Sequence, residues 1–328
     1  MKVAIFGLGS IGRRHARCFR EAGAAEIIGM DPVAERREQF VAELEAPAVA
    51  SEQEALAASP DLVVVASPNT FHVRQAMMAA EAGCALLVEK PLGTDLAGAE
   101  SLVRAVRERG LYFHMGSNWK FHPAFLKMKQ VLESGAIGQV TGGQVIAGQW
   151  LPDWHPWEDY RNMYAARASL GGGAIFDTHE IDYLTWLLGE ARELIGLKAH
   201  TGLLEIETED VAACVIRFAG GALVTLLTDY IQRTPKRSYF LSGSEGSLEW
   251  DLRSGEIAVW RAGEPAPERS SVHLADANEM YVAQARRVLS DLKSGGRALT
   301  DENHALAVLQ MQLAWRDEKP FQRDPGVT

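Results

Sequence analysis

The sequence predicts an α/β amino-terminal half built on a doubly wound parallel sheet. An α+β carboxyl-terminal half on a largely antiparallel, open sheet follows. Three observations carry that prediction. Residues 2–31 run apolar strand, glycine-rich turn, helical pattern, second apolar strand and terminal acid. Strand-like and helix-like patterns then alternate to about residue 120, as in parallel sheets with helical crossovers. From about residue 194 the patterns are mostly strands, closed by two amphipathic helices.

The opening stretch is the most specific. Val3–Phe6 leads directly into Gly7-Leu8-Gly9-Ser10-Ile11-Gly12, and the second strand, Glu26–Met30, ends on Asp31. Gly7 permits the tight turn off the strand. Gly9 lets backbone approach a pyrophosphate, and Gly12 lets helix pack close to strand. The helix that starts at Ser10 and Ile11 offers its unpaired N–H groups and positive dipole end to phosphates. Asp31 stands where a carboxylate accepts hydrogen bonds from the ribose hydroxyls of the adenosine half. The same carboxylate repels a 2′-phosphate, so NAD is expected over NADP, with Arg36 and Arg37 the only residues pulling the other way.

Composition narrows the partners. The 328 residues suggest about two domains, divided here at 1–120 and 121–328. A formal net charge of −10 and the absence of any basic block argue against nucleic acid or anionic membrane as partner. Three scattered cysteines, Cys18, Cys84 and Cys214, fit a reducing compartment, and their spacing forms neither a disulfide framework nor a metal site. No apolar run is long enough to span a bilayer, and the chain opens on a core strand, so a cytoplasmic protein without a signal peptide is expected.

Taken in order, a helix is predicted over Val33–Leu44, a short strand near Ala46–Ala50 and a helix over Ser51–Ala58. Leu62–Ala66 is a continuous apolar run of the kind buried on both faces of a parallel sheet. It ends in Ser67-Pro68-Asn69-Thr70-Phe71-His72, where ligand-facing loops are expected at the carboxyl ends of strands. A helix over Thr70–Ala82 and a strand over Ala85–Val88 follow, the strand ending in Glu89-Lys90-Pro91. Helix Leu96–Arg109 and strand Tyr112–Met115 complete the alternation. Beyond it the pattern predicts helix Pro123–Ser134, strand Val140–Ile146 and a long loop over 147–170. A single helix over Ile175–Leu188 comes next. Strands are read at Val211–Phe218, Leu223–Tyr230, Ser238–Ser242, Ser247–Asp251 and Ile257–Arg261, and helices at Asn278–Lys293 and Glu302–Trp315. The strands at 211–230 carry apolar residues on both faces, so one face is expected to be covered by another copy in a homodimer or homotetramer.

Two side chains have chemical potential in their own right. Lys90 at a strand end suits either proton donation at a cleft mouth or a surface ion pair with Glu89. His179, after Gly171-Gly172-Gly173, suits either proton transfer near neutral pH or packing between helix and sheet. Asp182 and Tyr183, on its helical face, are placed to orient its ring.

Four motifs together resemble the Gfo/Idh/MocA family over nearly the whole chain: GLGSIG with a nearby Arg-His, SPNTFH, EKP, and GGGAIFDTHEID before WLLG. The resemblance implies a nicotinamide enzyme with an amino-terminal Rossmann domain, acting at a secondary carbon of a sugar, sugar acid or cyclitol. It implies that Lys90 polarises or relays a proton at the reacting oxygen and that His179 is the acid or base. It places Ser67, Pro68, Asn69, His72, Glu89 and Lys90 near the cofactor, and no metal is expected.

The chain departs from the family in two places. The expected Asp stands two residues before His179, at Asp177, where three or four is usual, so it serves as a substrate-orienting carboxylate if it precedes the helix, as an N-cap or in a turn, or if the helix is irregular there; the other reading is a plain N-cap. Asn118-Trp119-Lys120 replaces a common arginine pair, which leaves Asn118 as a substrate contact but changes the anion chemistry. The loop from Trp150 to Arg161 mixes aromatic and polar side chains as sugar sites do, with Trp157, Tyr160 and Arg161 the expected substrate contacts and Arg161 suited to a carboxylate or phosphate; the other reading is a packed cover or a subunit contact. Two other activities remain open: a redox-assisted glycoside hydrolase that returns its hydride, and a non-enzymatic NAD-binding regulator.

Overall fold

The computed structural model describes residues 1–323. The first elements are β1 (Lys2–Phe6), α1 (Ser10–Glu21), β2 (Glu26–Met30), α2 (Ala34–Leu44), β3 (Ala48–Val49), α3 (Glu52–Ala57) and β4 (Leu62–Val65). Then come α4 (His72–Glu81), β5 (Ala85–Glu89), α5 (Leu96–Arg109), β6 (Phe113–Gly116), α6 (Pro123–Glu133) and β7 (Val140–Gly148). They are followed by α7 (Ala174–Asp177), α8 (Glu180–Leu188), β8 (Ala191–Ala199), β9 (Val211–Phe218), β10 (Leu223–Asp229), β11 (Lys236–Gly243) and β12 (Gly246–Asp251). The chain closes with β13 (Glu256–Arg261), β14 (Glu268–Ser271), α9 (Asn278–Ser294), α10 (Glu302–Arg316) and β15 (Phe321–Gln322). No helix among the described residues is long and apolar enough to cross a membrane.

By contact density the chain forms two compact units, one of Met1–Phe121 with Asp276–Leu309, the other of His122–Ala275 with the segment from Gln310 on. The first therefore recruits α9 from far along the chain. The reason is a shared core: Val282, Ala285, Val288 and Leu289 of α9 bury against a cluster that includes Phe19 of α1 and Val3 and Ile5 of β1. Nothing local in the sequence announces that return.

The first unit holds a six-stranded sheet in the order β3-β2-β1-β4-β5-β6, every pair parallel. That is the doubly wound order of a dinucleotide-binding fold, whose ligands lie beyond the carboxyl ends of the strands. Leu62, Val63, Val64 and Val65 are all fully buried, as a strand with helices on both faces requires.

The second unit holds a nine-stranded mixed sheet, β14-β13-β12-β11-β7-β10-β9-β8-β15, in which only β10 and β7 run parallel. One face is covered. Phe125 of α6 packs edge-on against Tyr183 of α8, Tyr239 of β11 and Trp250 of β12, at centroid distances of 5.1, 5.2 and 5.3 Å. The other face carries exposed apolar side chains in register. Ile195 stands opposite Val215, and Phe240 lies two strands beyond Thr225 in the same row. Leu197 is 70% exposed and Ile195 64%.

The helix predicted over Ile175–Leu188 is in fact two. Thr178 is extended (φ −65°, ψ 134°) and separates α7 from α8. Neither Gly nor Pro causes the break. The buried Glu180 carboxylate does: its Oε2 accepts from Thr178 Oγ1 at 2.9 Å and from the His179 backbone N–H at 3.1 Å. Arg237 of β11 pairs with Oε1 at 2.8 Å, which offsets burial of the charge.

Candidate active site

In the first unit, the turn after β1 has the shape that a dinucleotide needs. Gly7 has φ +88°, and a Cβ there would meet Ser67 backbone at 2.7 Å. A Cβ on Gly12 would lie 1.8 Å from Gly7 O, so helix and turn touch only because neither has a side chain. A Cβ on Gly9 would meet nothing within 4 Å, so the open side of the turn is at Gly9, where α1 begins. Ser10 and Ile11 form the first turn of that helix. These residues fit a bound pyrophosphate.

Asp31, 1% exposed, accepts from the Leu8 N–H on Oδ2 and the Val33 N–H on Oδ1, both at 2.9 Å. Its carboxylate is thereby locked at the end of β2 beside the glycine turn. Arg37 is occupied with the carbonyls of Asp31 and Pro32, and Arg36 reaches Asp31 Oδ2 at 3.5 Å.

The loops after β4 and β5 are tied together by His72. Its Nδ1 lies 2.7 Å from Pro91 O and its Nε2 2.8 Å from Ser67 O. Burial pulls the His72 pKa down, against those carbonyls and the nearby Glu89 charge. Ser67 donates to Gln75 through its hydroxyl, at 2.7 Å, and Asn69 is buried at the start of the next turn, behind Pro68. Glu89 sits 2.6 Å from His15 Nε2 and accepts weakly from the Lys90 N–H at 3.3 Å. Burial raises the Glu89 pKa, but the His15 hydrogen bond and the charges of His15 and Lys90 outweigh it and hold the carboxyl below its ordinary range. Gly116 makes room for it, since a Cβ there would meet the Glu89 carboxylate at 2.7 Å. Lys90 itself is half-buried immediately after β5. Asn118 is buried in a 3₁₀ turn with Lys120, whose Nζ donates to Thr300 Oγ1 at 2.9 Å.

In the second unit, the α7–α8 break sets Asp177 and His179. Tyr183 Oη lies 2.9 Å from His179 Nδ1, and the rings stack at 15°. Of the two candidates for orienting the imidazole, Tyr183 makes this contact. Asp177, 8% exposed, accepts from Tyr164 Oη on Oδ1 at 2.5 Å and from Tyr230 Oη on Oδ2. Neither tyrosine was singled out by the sequence, because they lie 13 and 53 residues away from Asp177. Glu209, whose Oε1 accepts from the Ile175 N–H at 3.0 Å, completes the group, and burial pushes its pKa up, with the Asp177 charge adding to it.

The aromatic loop divides in two. Trp150, Trp154, Tyr160 and Tyr164 pack around a small core of Leu151, Met163, Ala165, Ala174, Leu204 and Tyr230. Trp157, by contrast, is 77% exposed. Arg161 grips Glu205 through Nε and Nη2 at 3.0 and 3.1 Å and Asp159 through Nη1 at 3.2 Å, over the Tyr160 ring. Its guanidinium therefore fastens the loop and already serves two carboxylates. Among the described residues no group of His, Cys, Asp and Glu has metal-binding geometry.

A six-stranded parallel sheet with this glycine turn and strand-end acid defines a dinucleotide-binding Rossmann protein. Profiles of two domains match in sequence: the NAD-binding Rossmann domain of the Gfo/Idh/MocA oxidoreductases over residues 1–117 and the GFO/IDH/MocA C-terminal domain over 125–249. The chain belongs to the Gfo/Idh/MocA family of oxidoreductases, with an NAD-binding amino-terminal domain.

Its relatives differ in what they act on. A UDP-N-acetylglucosamine 3-dehydrogenase of Acidithiobacillus ferrooxidans is 26% identical over 332 residues, covering 96% of this chain and 97% of that one. A 2,7-anhydro-N-acetylneuraminate hydratase of Mediterraneibacter gnavus is 25% identical over 256 residues, 76% of this chain and 67% of the relative. Among solved structures, a levoglucosan dehydrogenase in complex with NADH and levoglucosan superposes with a TM-score of 0.89 at 18% identity. That match covers 98% of this chain and 99% of the other.

Proposed function

We propose that this protein is an NAD-dependent dehydrogenase or reductase acting at a secondary carbon of a sugar, sugar acid or cyclitol. The observation that carries the reading is the arrangement at the α7–α8 break. There an imidazole is oriented through Nδ1 by Tyr183, and a carboxylate held by two phenols stands two residues before it. With the proton on Nδ1, the Nε2 lone pair accepts the substrate hydroxyl proton. Asp177 orients that hydroxyl by accepting a hydrogen bond. Lys90 steadies the developing oxyanion or relays its proton. Bound NAD supplies the hydride acceptor. In the reverse direction the same groups return the proton.

Gly7, Gly9, Ser10, Ile11, Gly12 and Asp31 are read as the adenosine and pyrophosphate contacts, and the loops of Ser67–His72 and Glu89–Lys90 as the nicotinamide side. Asp31 is the support for NAD over NADP, since a 2′-phosphate would lie against a buried carboxylate. Asn118, Trp157 and Tyr160 are retained as substrate contacts, whereas Arg161 acts on the loop. The exposed apolar face of the second sheet is read as the contact between copies in a homodimer or homotetramer. Three buried free cysteines support a cytoplasmic setting.

The kinship with a hydratase supports a second reading, in which the hydride is returned and a glycosidic bond is cleaved without net NADH. Product analysis separates the two. The dehydrogenase produces one keto product per NADH formed. The hydrolase releases free sugar while the NADH band stays flat.

A further inference from the structure

Asp177 should be poorly placed. It is two residues from His179, and a regular helix would put the pair about 200° apart. Two features of the fold remove that regular-helix geometry. The chain breaks at the extended Thr178, and both carboxylate oxygens of Asp177 are held from outside its own helix. Tyr164 comes from a 3₁₀ turn of the long loop, and Tyr230 follows β10.

We propose that Tyr164 and Tyr230 are positioning residues, a pair of phenol donors that fix Asp177 as the substrate-orienting carboxylate beside His179. This rests on the dehydrogenase reading above and adds two residues to it. Each phenol donates one O–H to a different oxygen, so rotation of the carboxylate about its own axis breaks both bonds. Each oxygen retains lone-pair capacity for a substrate hydroxyl. Hydrogen bonds of this charge-assisted kind are short and strong, and they favour the ionised carboxylate. Burial and the Asp177 charge together push the Tyr230 hydroxyl well above its ordinary pKa, so it stays a donor across the working pH range. Tyr164 also links the clamp to the loop: if it withdraws, Asp177 loses half its support. The loop thus reports its own placement to the carboxylate.

The test uses the full-length protein with NAD, as wild type, Tyr164→Phe, Tyr230→Phe and Asp177→Asn. Carbon-13 NMR of the aspartate carboxyls at a single neutral pH, with the Asp177 signal assigned by its loss in Asp177→Asn, reports the hydrogen bonding of that group. Each Phe variant should displace that signal, because one of the two phenol donors to the carboxylate is lost. With a turned-over substrate, kcat/KM should fall about tenfold and KM should rise, NAD affinity should stay at its wild-type value, and the loss should vanish when Asp177 is already Asn. A purely structural staple would lower the thermal midpoint and leave kcat/KM and KM of the folded enzyme unchanged, and that result overturns the proposal. Tyr164 is partly exposed, so Tyr164→Phe decides the matter if Tyr230→Phe fails to fold. A wild-type enzyme that turns over no sugar substrate contradicts the dehydrogenase reading. An Asp177 carboxyl signal that stays at its wild-type position in Tyr164→Phe contradicts the clamp, whatever the turnover.

Discussion

Tyr183 Oη lies 2.9 Å from Nδ1 of His179, with the two rings stacked 5.5 Å apart. The relationship is local, one helical turn apart, yet it is fixed from outside. Phe125 packs edge-on against Tyr183 at 5.1 Å and prevents the phenol from turning away. A histidine held through one nitrogen has its tautomer and ring plane decided by that contact.

Tyr183→Phe should therefore leave the fold intact and lower kcat by about tenfold, the size of one lost hydrogen bond. Steady-state kinetics with kcat and KM separated checks this. An unchanged kcat would mean that Tyr183 only packs.

Asp31 should set the cofactor. Asp31→Ser removes the charge that opposes a 2′-phosphate and leaves Arg36 without its carboxylate neighbour. NAD should bind about tenfold more weakly while NADP gains, so the preference narrows or inverts. Titration calorimetry with both nucleotides measures the ratio directly.

Acid should destabilise the second unit through His122. Its Nδ1 accepts the Ala124 N–H at 3.0 Å and caps α6, a bond that protonation destroys. Burial, with the Arg237 charge added, lowers its pKa to about 4. The unfolded chain takes up a proton at about 6.5, so unfolding is proton-linked between those values. The stabilisation is complete above about pH 6.5 and is lost as pH falls toward about 4, for a total of about 3 kcal/mol. His122→Asn retains a capping acceptor without the titration. Its denaturation midpoint should be flatter across that window than that of the wild type.

The exposed apolar face should be covered in solution. Leu197 and Phe240 are 70% and 40% exposed on the same sheet. Leu197→Glu combined with Phe240→Glu should convert a dimer or tetramer into a monomer by light scattering at micromolar concentration. A monomeric wild type would show that this face serves something else.

Much of this was readable in the sequence where the physics is local. The glycines of Gly7–Gly12 are dictated by contacts within the turn, and the run Leu62–Val65 by burial on both faces of one sheet. The four family motifs pointed to the two-domain oxidoreductase architecture. What could not be read is non-local. The break at Thr178 depends on Glu180 and Arg237, which no helix propensity encodes. The phenols on Asp177 come from a loop and a distant strand end. The pairing of Arg161 with Glu205, 44 residues further along the chain, is likewise non-local. The return of α9 to the first unit depends on a core assembled only in three dimensions.

The most direct test of the central claim is absorbance at the NADH band. Purified protein would be mixed with cyclitols, hexoses, uronic acids and acylamino sugars, with NAD and NADP side by side and Lys90→Ala as control. The account predicts NADH formation with at least one of these substrates, faster with NAD than with NADP and lost in Lys90→Ala. Bound NAD with a flat signal across the whole panel, in both directions of the reaction, would contradict it.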